Sequence, residues 1–197
     1  MPTGVVTYTR QSLNETDFPD FKNSKKPFRK AVIMNDGTIE DCIGTLQLDF
    51  ANKYLGGGVL NSGCVQEEIR FVICPELIVS MLFMESMLSN ESVIIRGCER
   101  FSSYKGYGDS FEWGDDYVDE VARDSFNRLY TDILAIDALC FRYPKMQFNE
   151  SKVFRELIKC YSGFKIDGAK TNLPAVSTGN WGCGVYRGDR QLKCNIF

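Results

Sequence analysis

Residues 56–68 read Gly-Gly-Gly-Val-Leu-Asn-Ser-Gly-Cys-Val-Gln-Glu-Glu, a string that few structures can accommodate. Three consecutive glycines permit positive φ and bring bare backbone close to a ligand. Glu67 and Glu68 then open a mostly apolar run, Ile69 to Cys74, that reads as a buried helix or strand. In a helix, adjacent residues point about 100° apart, so the two acids cannot share one role. A glycine loop delivering paired carboxylates to one spot points to cleavage of a phosphate-bearing substrate.

Strand and helix patterns alternate around this string. Val5 to Thr9 is β-branched and predicts a short strand, and Ala31 to Met34 predicts another, ended by the Asn35-Asp36-Gly37 turn. Between them, Asp17 to Lys30 is polar, carries Pro19 and Pro27, and predicts a loop. Leu46 to Phe50 alternates as a strand and runs directly into the glycines. Pro75 suits a first helical turn, and Leu77 to Leu88 should continue that helix with a Met-rich apolar face. Val93 to Ile95 and Leu129 to Leu139 predict strands. Val153, Phe154, Leu157, Ile158 and Tyr161 recur at helical spacing, with Gly163 as a C-cap. Ala175 to Ser177 predicts a last strand. Interleaved strands and helices, with no repeats and no linker, imply one α/β layered domain over residues 1–197.

Composition removes several chemistries. The chain has 23 basic and 26 acidic residues, a net charge of -3, which argues against salt-driven coating of nucleic acid. Local capture of a phosphate by loop amides needs no net charge. Lys22, Lys25, Lys26, Arg29 and Lys30 form a solvated loop that could steer an anionic polymer or belong to a nuclear signal. There is no histidine and no C-x-x-C pair, so Ser-His-Asp, Cys-His and His-ligated zinc chemistry are excluded. Acid–base work falls to carboxylates, Tyr, Lys or Cys, and neither metal nor organic cofactor is expected. A polar N-terminus, unpaired cysteines and the lack of a membrane-length apolar stretch predict an intracellular protein of nucleus or cytoplasm.

A second glycine-rich segment, Gly179-Asn180-Trp181-Gly182-Cys183-Gly184, follows the last strand. Spaced glycines there leave amides free for a diphosphate. The two segments in this order resemble the signature of poly(ADP-ribose) glycohydrolases, and the resemblance covers nearly the whole chain. It implies a macrodomain: a mixed β-sheet between helical layers, with ADP-ribose in a cleft at strand ends. It further implies that Glu68 is the general acid, that Glu67 binds ribose hydroxyls, and that Asp49 is a supporting carboxylate. Gly57, Gly58 and Gln66 belong to the first loop's binding surface, and Asn52 lies near the reacting ribose. Asn180, Trp181, Gly182, Cys183, Gly184, Val185 and Tyr186 correspond to the diphosphate loop, where the family's final aromatic is usually Phe. Tyr107 would lie over the site, and Ile39 and Glu40 match the pair that recognises adenine. The activity implied is release of ADP-ribose from poly(ADP-ribose), free or on poly(ADP-ribosyl)ated proteins, with no direct binding of DNA or membrane. Related catalytic regions carry a helical region before, and core elements after, the span of this chain. An ADP-ribose-binding module with little turnover is therefore the alternative, and an unrelated α/β hydrolase of phosphorylated sugars a third.

Overall fold

The computed structural model describes residues 3–165 and 174–197. Among the described residues there are seven strands: β1 (Thr7–Ser12), β2 (Leu46–Asp49), β3 (Glu91–Arg96), β4 (Ser102–Lys105), β5 (Glu112–Asp116), β6 (Asp132–Ala135) and β7 (Val176–Ser177). Three α-helices join them: α1 (Gln66–Ile73), α2 (Glu150–Phe164) and α3 (Arg190–Ile196). The main sheet runs β1-β3-β6-β2-β7, and β4 and β5 form a separate hairpin. Strands β6, β2 and β7 are parallel, whereas β1 and β3 are antiparallel to their neighbours, so the sheet is mixed.

The period-two geometry of the central strands divides the core in two. Ile133 and Ala135 of β6 join Phe71, Ile73, Leu77, Val93 and Ile95 beneath α1. Leu134 and Ile136 face the other way, with Leu46, Leu48, Trp181 and Ile196 against α2 and α3. The sheet is thus sandwiched between helical layers, as the α/β reading expected. Asn149 caps α2, its side chain accepting the Ser151 N–H.

Three local expectations need correction. Ala31 to Met34 is not a strand: Val32, Ile33 and Met34 are exposed and pair with no sheet edge. The segment after Pro75 is a 3₁₀ turn, Pro75–Leu82, rather than a helix to Leu88. The Ser80 hydroxyl donates to the Leu77 carbonyl at 2.7 Å, and the chain then leaves so that the Met87 N–H can reach the Lys53 carbonyl at 2.8 Å. Gly163 lies inside α2 and does not cap it. A Cβ there would come within 2.6 Å of Leu134, so this glycine lets helix and sheet approach.

Candidate active site

The polar triplet Gln66-Glu67-Glu68 forms the first turn of α1 and is tied to backbone on three sides. Gln66 clasps the end of β2, accepting the Phe50 N–H at 2.7 Å and donating to the Leu48 carbonyl at 3.1 Å. Glu67 accepts the N–H groups of Asn52 and Gly56, at 2.8 and 2.7 Å. Glu68 accepts those of Gly58 and Val65, at 2.9 and 3.1 Å, the second closing the helix N-terminus. Both acids are almost wholly buried. The glycines make that possible. At Gly57, where φ is +50°, a Cβ would lie 2.5 Å from Glu68 Oε1, and at Gly63 2.8 Å from the same atom.

The first loop turns its backbone N–H groups inward. The N–H groups of Gly56 and Gly58 go to the two glutamates, and that of Gly57 goes to the Tyr54 carbonyl at 3.2 Å. Its backbone wraps carboxylates.

Asp49 ends β2 beneath these acids, fully buried, with neither carboxyl oxygen hydrogen-bonded among the described residues. Burial drives its pKa up to about 7; Arg70 opposes that shift and Glu68 adds to it. Burial likewise pushes Glu67 well up, reinforced by Asp49 and opposed by the two backbone N–H groups. With two donors, Glu67 is the better seat for charge, and the donor-free Asp49 for the proton. Arg70 donates to Gln47 Oε1 at 2.6 Å, bridging α1 to the same polar face of β2. Burial, Glu68 and Asp109 all push the Cys64 thiol up, which disfavours its thiolate.

The second loop follows β7 and is anchored from below. Trp181 is completely buried, its indole N–H donating to the Ile136 carbonyl at 2.9 Å. Its ring thus faces the core, leaving only backbone for contact with a ligand. Gly182, at φ +72°, sits against Ala138, where a Cβ would approach to 2.5 Å. Beyond it Gly184 and Val185 are exposed, and a Cβ at Gly184 would meet nothing within 4 Å. The two loops are joined directly: Asn52 Nδ2 donates to the Tyr186 hydroxyl at 2.9 Å.

A buried acid pair, a glycine wall and an open glycine loop now stand on adjoining strand ends, and known proteins share the sequence that builds them. The family profile described as poly(ADP-ribose) glycohydrolase, macro domain fold, matches residues 18–197. The chain belongs to the poly(ADP-ribose) glycohydrolase family. Poly(ADP-ribose) glycohydrolase 1 of Caenorhabditis elegans is 40% identical over 98% of the chain, which covers 26% of that relative. Poly(ADP-ribose) glycohydrolase 1 of Arabidopsis thaliana is 34% identical over 100% of the chain, covering 48% of its own length. The C. elegans poly(ADP-ribose) glycohydrolase 2 is 40% identical over 98%, with 42% of its length covered. The chain spans less than half the length of each of these relatives.

Within this family's fold, Asp49, Asn52, Gly57, Gly58, Gln66, Glu67 and Glu68 converge around the start of α1, and Tyr186 reaches them through Asn52. Tyr107 projects from the turn after β4, largely exposed. Partial burial and Glu68 raise its phenol, while the Gln66 backbone N–H opposes them. The neighbouring Gly108 N–H donates to the Cys64 carbonyl at 2.9 Å, which pins the hairpin to the first loop. Ile39 and Glu40 occupy a 3₁₀ turn, Ile39–Asp41, against β2, where Gln47 Nε2 donates to the Glu40 carbonyl at 3.4 Å. Glu40 borders a cavity of ≈ 20 Å³, room for about one water, shared with Gln47, Arg70 and Arg100. One buried Glu40 oxygen and the Arg70 Nε lack partners among the described residues. The residues missed from sequence are Gln47 and Arg70. A cation inside the apolar run Ile69-Arg70-Phe71-Val72-Ile73 was the available signal, since a charge there needs a buried partner.

Proposed function

We propose that the chain hydrolyses ribose–ribose glycosidic bonds in poly(ADP-ribose), releasing ADP-ribose from polymer carried on modified proteins. Glu68 protonates the departing ribose oxygen as the anomeric carbon becomes oxocarbenium-like, and the substrate's own diphosphate stabilises that cation. The ionised Glu68 then takes a proton from the attacking water. Glu67 and Asn52 hold ribose hydroxyls, since each Glu67 oxygen keeps a lone pair after accepting one N–H. The backbone of residues 182–186, exposed at Gly184 and Val185, receives the diphosphate, Tyr107 covers the ribose, and Ile39 and Glu40 take the adenine.

One observation carries this reading. Glu68 is held by two backbone N–H groups within a wall of glycines, so its geometry is set before substrate arrives. The test is Glu68→Gln, assayed for ADP-ribose released from polymer of defined length. Turnover should fall by about 10²–10⁴-fold with ADP-ribose affinity nearly intact. Turnover within a few-fold of the parent chain would remove Glu68 from the reaction.

A further inference from the structure

Behind the second glycine loop lies an ion network that the proposed chemistry does not use. Glu156 of α2 accepts the Leu139 N–H and an Arg155 N–H, both at 2.9 Å, through Oε1, and its Oε2 contacts the Lys193 ammonium. Lys193 of α3 is itself buried, its Nζ 4.0 Å from the centre of the Trp181 ring. The loop folds around this cation. A Cβ on Gly182 would lie 3.3 Å from Lys193 Nζ, and one on Gly188 3.1 Å from Lys193 Cε. The Gly188 N–H donates to the Gly182 carbonyl at 2.8 Å and closes the loop over the ammonium.

Such a charge is costly. Burial and Arg155 pull Lys193 down from its ordinary value, and the Glu156 carboxylate in contact with it favours the charged form. A buried ion pair stabilises no better than apolar residues of similar volume, so stability alone does not account for a lysine here. What a lysine supplies, and an apolar side chain does not, is attraction to the indole face and positive charge beneath an open backbone loop.

We propose that Lys193, held by Glu156, is a positioning residue for the second glycine loop, locking Trp181 and Gly182 so that residues 182–186 are preset for a diphosphate. The inference rests on the functional reading above and adds the device that shapes its anion seat. Lys193 touches no substrate. It acts through Trp181 and the loop backbone.

Calorimetric titration of the full chain with ADP-ribose and with adenosine tests this, using Lys193→Met, Lys193→Arg and Glu156→Gln. The Met and Gln variants should bind ADP-ribose about tenfold more weakly and adenosine unchanged, whereas the Arg variant recovers most of the loss. The Glu156→Gln/Lys193→Met double variant should be no weaker than either single one, because both break the same contact. Thermal melts establish which variants are folded, and Glu156→Gln, which keeps shape and volume, decides the matter where Lys193→Met does not fold. Unchanged ADP-ribose affinity in a folded variant, or an equal loss for adenosine, overturns the inference alone. A parent chain that bound no ADP-ribose would overturn the functional reading and this inference with it.

Discussion

The two glycine loops use one residue type for opposite purposes. In residues 56–63 the glycines remove side chains so that two carboxylates can enter, and the N–H groups of Gly56 and Gly58 turn inward to hold them. In residues 179–188 the buried Trp181 anchors the loop to the core, while Gly184 faces open space. A glycine-rich segment is therefore not an anion site by composition. What decides is which backbone stays open: the Trp181 and Cys183 N–H groups are taken by the Gly179 and Asn180 carbonyls, and Gly184 and Val185 are left exposed.

Substitution at one glycine in each loop is the sharpest way to break this contrast. Gly57→Val forces a side chain into Glu67 and Glu68 at a φ of +50°. Turnover on polymer should drop by at least about 10²-fold, the scale of a catalytic group misplaced by about 1 Å. The melting temperature should fall as well, and near-normal turnover would show that the loop does not set the acids. Gly184→Val has free space for its Cβ. Its melting temperature should move by no more than about 2 °C, as for a surface change of about 0.5 kcal/mol. ADP-ribose affinity measured by calorimetry should nevertheless weaken roughly tenfold, since the side chain covers open backbone. Undiminished affinity would move the diphosphate elsewhere.

A smaller effect comes from the carboxyl beneath the closed loop. Asp49 has a folded value of about 7 against an ordinary 3.8, so its protonated form is favoured in the native state. Its contribution to stability is complete below pH 3.8 and is lost as pH climbs through about 7. Melting curves from pH 4 to pH 8 should show the parent chain losing stability relative to Asp49→Asn, with the variant the more stable at pH 8. A difference between the two chains that does not change with pH would mean Asp49 is ionised throughout. Smallest of all is Tyr186→Phe, which removes the hydrogen bond joining the loops. It should cost about 0.5–1.5 kcal/mol in denaturant unfolding, and no measurable change would leave the loops energetically independent.

Much of this architecture was legible because local periodicity and burial agree. The helical spacing of Val153 to Tyr161 marks α2, and the apolar runs at Val93–Ile95 and Ala175–Ser177 mark strands of the sheet. Where periodicity lacked a tertiary partner, the reading failed. Ala31 to Met34 has the composition of a strand but no edge to pair with. The β4–β5 hairpin is not legible because Ser102 to Lys105, mostly half-buried, and Glu112 to Asp116, mostly exposed, show no apolar alternation. Both acids could be located from their motif, yet Arg70 and Lys193 could not be placed, because each meets its partner only across the fold.

By itself the sequence determined the family, the order of the two glycine loops and the pair of glutamates at the head of a buried element. These are local facts, carried by residue type and spacing. Only the tertiary structure decided how each was used. Strand β2 alternates apolar and polar residues, a pattern that ordinarily leaves one face in water. Here α1 covers the polar face, so Gln47 and Asp49 are buried beside Arg70 and Glu67. That burial creates the raised carboxyls, because desolvation depends on every chain segment that excludes water, and no short stretch of sequence contains that information.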